Sequence, residues 1–264
     1  MSKLRIKQFL RELLYDTRLF LPVRSVYQHV FDHLRLALRN RMRDLYGPYI
    51  RRGDLGFDVG ARMGTYTEVF VELGAKVVAV EPNPACCEKL IRMARSRDIR
   101  VESCAAGDAM GRLNLHVCAE NPSISTMSEE WFAAAQQSPA HRNNTWLGTV
   151  EVDVVTLDQL ADRHGVPVLV KIDAEGFDDR VLRGMSFRPR AMSFEFNLEI
   201  PDVTQRCLSA AIFAGDSYEF NYVCGMEMQL ASDRWMDSAE LQERLRNLAG
   251  EHLYGDVLAR SKSH

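Results

Sequence analysis

From Asp54 onward, short apolar segments alternate with segments whose apolar residues have helical spacing. Apolar strands separated by helices are typical of a parallel sheet that is covered on both faces. The pattern therefore predicts an α/β fold with a doubly wound (Rossmann-like), mostly parallel seven-stranded sheet. The strands are predicted at residues 55–59, 76–81, 99–104, 168–173, 191–197, 218–224 and 254–260.

An N-terminal helical extension is predicted before this sheet, because residues 4–15 and 23–45 carry apolar residues at helical spacing. We predict two parts, the extension over residues 1–50 and one domain over residues 51–264. Two amphipathic helices outside a sheet need a surface to cover. They could form a homodimer interface, pack on the same subunit or contribute to the substrate pocket.

A long insertion loop is predicted at about residues 118–148, where the alternation is interrupted between strands expected at 112–117 and 149–155. Loops of this length are uncommon in compact domains unless they bind a ligand or cover a site. Trp131 and Trp146 argue against full disorder. We therefore expect substrate contacts in this segment.

Composition excludes several classes of protein. A chain of 264 residues, 46% of them hydrophobic, can bury a core without disulfides. The six cysteines are irregularly spaced and lack paired zinc-ligand spacing, so reduced thiols and a cytoplasmic location are expected. No run of about 18 apolar residues occurs, so no membrane span is predicted. The mixed charge of the first residues argues against a signal peptide.

The net charge of −3 is unevenly distributed, since residues 1–52 contain 12 Lys and Arg against 4 Asp and Glu. Such a basic segment could contact nucleic acid or an anionic membrane surface. We favour a helical cap whose charges are solvated or paired with the acidic remainder of the chain. No nucleic-acid partner is predicted, because the interleaved aromatic and basic residues of an RNA-binding surface are missing from the sequence.

The segment that joins the first predicted strand to the next helix has the features of a ligand-binding turn. Gly60 allows a tight turn, and Gly64 allows the helix to start close to the strand. The G-x-G-x-x-G pattern of dinucleotide sites is missing, which argues against NAD. Asp58 would repel a pyrophosphate but suits a ligand with an ammonium and a sulfonium, such as S-adenosylmethionine (SAM). Glu81, at the tip of the second strand, can accept hydrogen bonds from both hydroxyls of a ribose.

Two motifs, FDVGARMGTYT (57–67) and VEPNP (80–84), resemble the cofactor motifs of class I SAM-dependent methyltransferases. Three further segments resemble the FkbM-type family more narrowly: VTLDQL, KIDAEGFDDRVLRG and FEFN, which start at residues 155, 171 and 194. The likeness covers about residues 54–200. It implies an O-methyltransferase that acts on hydroxyls of sugars, polyketides or other natural products.

The resemblance also implies a set of cofactor contacts. Residues 106–108 match the segment that borders the adenine. Arg62 is a departure, because members of the family commonly have Asn there, and it affects the expected contacts with the methionine moiety. The candidate cofactor-binding residues are Asp58, Gly60, Ala61, Gly64, Thr65, Glu81, Pro82, Asn83, Ala106 and Asp173.

Polar residues at the predicted carboxyl ends of two neighbouring strands are candidates for the chemistry. Methyl transfer to a hydroxyl needs alignment of the two groups and removal of the hydroxyl proton. The candidate catalytic residues are Asp173, Lys171 and Glu195; Asp173 could be the general base or could hold the amino group of the cofactor. Alternatively, Asp173, Glu195 and Asn197 offer oxygen ligands for Mg²⁺, which would polarise the acceptor. Cation-dependent O-methyltransferases have carboxylates and an Asn at similar strand ends, which is a resemblance only.

The leading hypothesis is therefore a SAM-dependent O-methyltransferase whose acceptor is the hydroxyl of a small molecule, a sugar or a natural product. One alternative is an RNA methyltransferase that uses the basic N-terminal segment. Another is a non-catalytic protein that binds SAM. The retention of Asp58, Gly60, Glu81 and Asp173 argues against the last alternative.

Overall fold

The structure is a computed structural model that describes residues 35–119, 121–139, 141, 144–215, 217–248 and 254–262. The chain divides into two compact units, residues 1–41 and 42–264. The helix predicted at 4–15 and the first part of the one predicted at 23–45 lie outside the described residues. In the described part of the chain, no helix is long and apolar enough to cross a membrane.

Seven of the ten described strands form the predicted sheet. In chain order the strands are β1 (Leu55–Val59), β2 (Lys76–Val80), β3 (Ile99–Glu102), β4 (Ala105–Ala106), β5 (Gly111–Cys118), β6 (Trp146–Val155), β7 (Leu169–Ile172), β8 (Ala191–Asn197), β9 (Tyr218–Cys224) and β10 (Tyr254–Ser261). The main sheet has the order β3-β2-β1-β7-β8-β10-β9, and only β10 runs antiparallel to its neighbours. The doubly wound, mostly parallel sheet is thus confirmed. A second, three-stranded sheet has the order β4-β6-β5.

Helices connect the strands. One helix covers residues 35–46 of the described chain and is labelled α1. The others are α2 (Thr65–Glu72), α3 (Pro84–Ala94), α4 (Glu129–Gln137), α5 (Leu157–His164), α6 (Asp178–Arg183), α7 (Pro201–Leu208) and α8 (Ser238–Arg246). The helix expected near 203–214 is shorter and starts earlier, because Pro201 fits its first turn and Ser209 ends it.

The central strands are apolar because helices cover both faces of the sheet. Phe57, Val170 and Phe194 are fully buried in its core. Two charged residues break this pattern, Asp58 in β1 and Lys171 in β7, which are partners in the strand register. They are 1% and 0% exposed. Buried charges carry a large desolvation cost, so such a row marks a functional region of the sheet.

The insertion at 118–148 is more regular than the predicted loop. It contains a short 3-10 turn at Pro122–Ile124, the helix α4 and the start of β6 at Trp146. The Ser128 side chain caps α4 by accepting a hydrogen bond from the Trp131 N–H at 3.1 Å. The Trp131 ring is buried and packs edge-on against Trp146. Aromatic burial therefore orders a segment in which sequence periodicity is weak.

We predict that Gly255→Ala destabilises the fold by about 2 kcal/mol, a usual cost of overpacking. A Cβ at this position in β10 would lie 2.0 Å from the Val223 carbonyl oxygen and 2.7 Å from the Phe196 ring. The matched control is Gly111→Ala in β5, where no atom lies within 4 Å of the added Cβ. Urea denaturation should show that the control leaves the free energy of unfolding unchanged or raises it by up to about 0.5 kcal/mol. Equal effects of the two substitutions would contradict the tight packing around β10.

Candidate active site

A cleft lies at the carboxyl ends of β1, β2 and β7, where the strand order reverses direction between β1 and β7. Open α/β sheets bind ligands at this point. The cleft contains about 450 Å³ of space, part of it open to solvent, which is within the usual range of ligand sites. Its polar and turn residues include Gly60, Arg62, Glu81, Asp173 and Glu175.

Gly60 is required by close packing as well as by its backbone conformation. Its φ is +74°, and a Cβ there would lie 1.9 Å from the carbonyl oxygen of Asp173. The turn after β1 therefore touches the tip of β7 directly. Gly64 has φ +82° and caps the start of α2. The two glycines fold the turn as predicted, while their contacts with a cofactor stay a prediction.

Glu81 presents its carboxylate to the cleft from the end of β2. Its Oε2 accepts a hydrogen bond from the Arg62 backbone N–H at 2.8 Å, and its Oε1 accepts one from the Asn83 backbone N–H at 2.7 Å. Burial raises the pKa of Glu81 to about 6, although these two hydrogen bonds favour the charged form. The carboxylate is thus held in a fixed orientation.

The other predicted cofactor residues divide into two groups. Pro82 and Ala106 line the cleft. Asn83 instead caps α3 through its Oδ1 and donates from Nδ2 to Ser125 Oγ of the insertion at 3.3 Å. Ala61 and Thr65 are not among the residues that line the cleft: Ala61 is buried beside α3, and Thr65 is exposed at the start of α2.

Asp58 is a buried carboxylate with incomplete hydrogen bonding. Its Oδ2 accepts a hydrogen bond from the Thr67 hydroxyl at 2.5 Å. Its Oδ1 is buried and has no hydrogen-bond partner within the described residues. Burial raises the pKa of Asp58 to about 6, against the opposing effects of Thr67 and Lys171. An unsatisfied buried acceptor of this kind needs a donor, preferably a charged one.

The guanidinium of Arg62 bridges two carboxylates in the lining of the cleft. One of its nitrogens donates to both Asp173 Oδ1 and Glu175 Oε1. Burial, reinforced by nearby carboxylates, raises the pKa of Glu175 to about 8, although Arg62 opposes this. No role is assigned to Glu175 from sequence alone, because its proximity to Arg62 depends on two separate turns. The only sequence signal is its position two residues after Asp173.

Lys171, a predicted catalytic residue, lies beneath the cleft and is not part of its lining. Its ammonium donates to Asp256 Oδ1 at 3.0 Å and to the Ile172 carbonyl at 2.9 Å, and it lies 3.8 Å from Asp173 Oδ2. Burial disfavours its charge, but the carboxylates of Asp256 and Asp173 outweigh this and raise its pKa. The ammonium therefore stays protonated and cannot accept a proton from an acceptor.

Asp256 is a site residue that sequence reasoning missed. It lies in β10, and its Oδ2 accepts a hydrogen bond from the Tyr66 hydroxyl at 3.1 Å. Its other oxygen pairs with Lys171. The one available signal was a single acidic residue inside the apolar strand YGDVLA. That signal cannot reveal partners elsewhere in the chain.

Glu195 lies on β8 directly opposite Asp256 in the strand register. No hydrogen bond or ion pair reaches its carboxylate from the described residues. Burial raises its pKa well above the usual value, and the neighbouring carboxylates of Glu175, Asp173 and Asp178 add to this effect. Such a carboxylate accepts a proton more readily than an ordinary glutamate does.

The predicted magnesium site is not supported. The Oδ1 of Asn197 accepts a hydrogen bond from the Glu199 N–H at 2.9 Å and so closes a turn. The Asp173 carboxylate faces the Arg62 guanidinium. Within the described part of the chain, no group of three or more His, Cys, Asp or Glu side chains is arranged to hold a metal ion.

We predict that Asp58→Asn stabilises the ligand-free protein in a pH-dependent way. Because the folded-state pKa of about 6 lies above the unfolded value of 3.8, the wild type loses stability as the pH rises from about 4 to 6. The variant avoids this loss. Its advantage in the free energy of unfolding should grow by about 2 kcal/mol between pH 4.5 and pH 8.

Urea denaturation at the two pH values measures this difference. The control is Asp153→Asn, which removes the same charge from a carboxylate that is 68% exposed. The difference between the control and the wild type should not change with pH. A flat difference for Asp58→Asn as well would show that the buried carboxylate carries no cost.

The chain is similar to several known proteins. Similar solved structures include the plantazolicin methyltransferase BpumL in complex with S-adenosylhomocysteine (SAH) (10% identity, 98% of this chain and 97% of that chain, TM-score 0.43). Another is precorrin-6y C5,15-methyltransferase from Geobacter metallireducens (12% identity, 86% of this chain and 88% of that chain, TM-score 0.40). A third is a TehB-like SAM-dependent methyltransferase from Corynebacterium glutamicum (10% identity, 90% of this chain and 97% of that chain, TM-score 0.42). The comparison with curated proteins gave no significant match. The model of the methyltransferase FkbM domain matches residues 58–220, more than half of the chain, and the chain therefore belongs to the FkbM methyltransferase family.

Proposed function

We propose that this SAM-dependent methyltransferase is an O-methyltransferase that acts on the hydroxyl of a small molecule, a sugar or a natural product. The observation that carries the proposal is the Glu195 carboxylate. It lies opposite Asp256 in the strand register, its pKa is raised by burial and by the carboxylates of Glu175 and Asp173, and it has no hydrogen-bond partner within the described residues. A hydroxyl acceptor must lose a proton during methyl transfer, and a carboxylate of this kind is suited to take it.

The residues of the cleft fit SAM. The Glu81 carboxylate lines the cleft and is fixed where it can accept further hydrogen bonds. Asp58 is not among the lining residues, but it precedes Val59 and Gly60, which are, and its Oδ1 has no donor within the described residues. Acidic groups suit a ligand that carries an ammonium and ribose hydroxyls, whereas they would repel a pyrophosphate. Pro82 and Ala106 offer an apolar wall for a purine. When bound, the cofactor supplies an electrophilic methyl group.

Asp173 has a positioning role in this proposal. One of its oxygens accepts from Arg62, and the other lies 3.8 Å from the Lys171 ammonium. In the ligand-free protein, these two cations hold the carboxylate in place in the lining of the cleft. Lys171 contributes as the fixed cation beneath the site and Glu195 as the general base. Alignment by these fixed groups accounts for a large share of the expected rate enhancement.

The proposal also covers the contacts of the methyl acceptor, the location of the protein and its association with other copies. Residues of the insertion line the cleft at Pro122, Ser125 and Met127, so we infer that this segment also contacts the acceptor. We also propose that the enzyme acts in the cytoplasm and that two copies associate as a homodimer through the N-terminal helices. The helices lie largely outside the described residues, and sizing a variant that lacks residues 1–45 tests their role.

We predict that Glu195→Gln lowers the turnover number by about 10²–10⁴-fold, because the amide cannot accept the hydroxyl proton. Its Kd for SAH should stay within about twofold of the wild-type value, as Glu195 is not among the residues that line the cleft. Transfer is measured with methyl-labelled SAM and a panel of sugars and phenols, and SAH binding by calorimetry.

Glu151→Gln, which changes an exposed carboxylate on β6, is the control and should match the wild type in both assays. Undiminished transfer by Glu195→Gln would assign the base to another residue. Failure of the folded wild type to bind SAH would overturn the proposed function itself.

Full transfer activity in EDTA is a further expectation, because the predicted metal ligands are not arranged around a common point. Asn197 is engaged in a turn, and Asp173 is engaged by Arg62. Activity is measured in EDTA and again after Mg²⁺ is added in excess. Loss of activity in EDTA that Mg²⁺ restores would establish a metal-dependent reaction and contradict this reading of the site.

A further inference from the structure

We propose that Arg62 occupies the place of the cofactor's positive charge in the free enzyme and yields it when charged SAM binds. The inference rests on the proposed function, because it concerns the same cleft. We refer to the ion pairs of Arg62 with Asp173 and Glu175 as the clasp. Because the clasp opens for a charged ligand, Arg62 sets the preference between SAM and SAH.

The clasp lies inside the cleft and not beside it. All three of its residues line the cavity. The Arg62 backbone N–H donates to Glu81 at 2.8 Å, while its guanidinium contacts Asp173 and Glu175. A ligand that extends from Glu81 to these two carboxylates therefore meets the guanidinium.

Two unusual backbone conformations bring the clasp together. Arg62 has φ +51° and Glu175 has φ +50°, and both are in the left-handed region that side chains other than glycine rarely adopt. The strain of such positions is maintained only where the surroundings enforce it, and it concentrates at ligand sites. The Thr126 hydroxyl, which donates to the Glu175 carbonyl at 2.7 Å, holds one of the two turns.

Burial determines which partner can leave. The carboxylate side chains of Asp173 and Glu175 are 14% and 8% exposed, and the Arg62 side chain is 29% exposed. Buried carboxylates that lose their counter-charge pay a large desolvation cost, so the two acids require a cation at all times. The more exposed guanidinium can move toward solvent at a smaller cost.

The Arg62 side chain is also incompletely bonded. Its Nε is buried and has no hydrogen-bond partner within the described residues. A purely structural ion pair would be expected to satisfy this donor. The missing contact favours an arrangement that is one of two states. In the other state, a cation of the ligand neutralises the two carboxylates.

This exchange has a consequence for the reaction cycle. SAM and SAH differ in the methyl group and in the positive charge on sulfur. Once that charge is lost, Arg62 again becomes the best available partner for Asp173 and Glu175. The clasp can then re-form while SAH is still bound, so Arg62 competes with SAM and not with the neutral product.

The test is calorimetric titration of wild type and Arg62→Gln with SAM and, separately, with SAH. Removal of the competing cation should increase the affinity for SAM by about tenfold, equivalent to about 1.4 kcal/mol. The affinity for SAH should change by less than about threefold. The matched control is Arg112→Gln, which removes the same charge from an exposed ion pair with Glu151 on β5 and β6 and should leave both affinities unchanged.

Glu175→Gln provides a second variant with the opposite expectation. It removes one of the two acids, so the affinity for SAM should fall relative to that for SAH. In the double variant of Arg62 and Glu175, the increase in SAM affinity seen with Arg62→Gln should largely disappear, because the effects of substitutions at contacting residues are not additive. Circular dichroism and thermal unfolding establish that each variant is folded.

The outcomes separate the inference from the proposed function. If Arg62→Gln weakens the binding of SAM and of SAH equally, Arg62 is a direct cofactor ligand and the inference is overturned. Unchanged affinities for both ligands would also overturn the inference. If only Arg62→Gln binds the two ligands, the clasp closes the wild-type cleft to both of them, which overturns the inference together with the proposed function of the wild-type protein. If neither folded protein binds either ligand, the proposed function fails and the inference fails with it.

Discussion

The buried ion pair between Lys171 and Asp256 is the interaction on which the site depends. An ammonium that is 0% exposed is stable only when its charge is matched at close range, and the loss of one partner typically costs 3–5 kcal/mol. Asp256 supplies this match at 3.0 Å and also accepts a hydrogen bond from Tyr66. The antiparallel strand β10, which lies between β8 and β9, is thereby tied to β7 and α2.

The charges around this pair favour the binding of a cation at the site. Polar side chains are paired across the central strands: Asp58, Lys171 and Ser193 form one row, and Glu195 faces Asp256 in the next. Asp173 follows directly after the end of β7. Arg62 and Lys171 are the basic residues within this cluster, and they face a larger number of carboxylates. Burial and mutual repulsion therefore raise the pKa of several acids. A bound cation would relieve this repulsion, as general electrostatics requires.

Local patterns in the sequence were sufficient to predict the main sheet of the molecule but not the side-chain contacts within its site. The seven strands were predictable because sheets covered on both faces need continuous apolar runs. Gly60 and Asp58 were located because a strand-to-helix turn demands special residues at fixed positions. The Tyr66–Asp256 contact was not predictable, since 190 residues separate its partners. The helix α4 was missed because its stability comes from capping and from aromatic burial against distant strands.

The insertion contacts both Asn83 and Glu175, which suits a coupling between the proposed acceptor recognition and cofactor binding. Ser125 accepts a hydrogen bond from Asn83 beside the Glu81 end, and Thr126 donates to Glu175 beside the clasp. These contacts come from adjacent residues, so a shift of the segment moves both. Gly176 reinforces the coupling, because its missing side chain lets Trp131 pack against the same turn. An acceptor that contacts the insertion, as proposed, would therefore act on Glu175 through Thr126 and, through Glu175, on the position of Arg62.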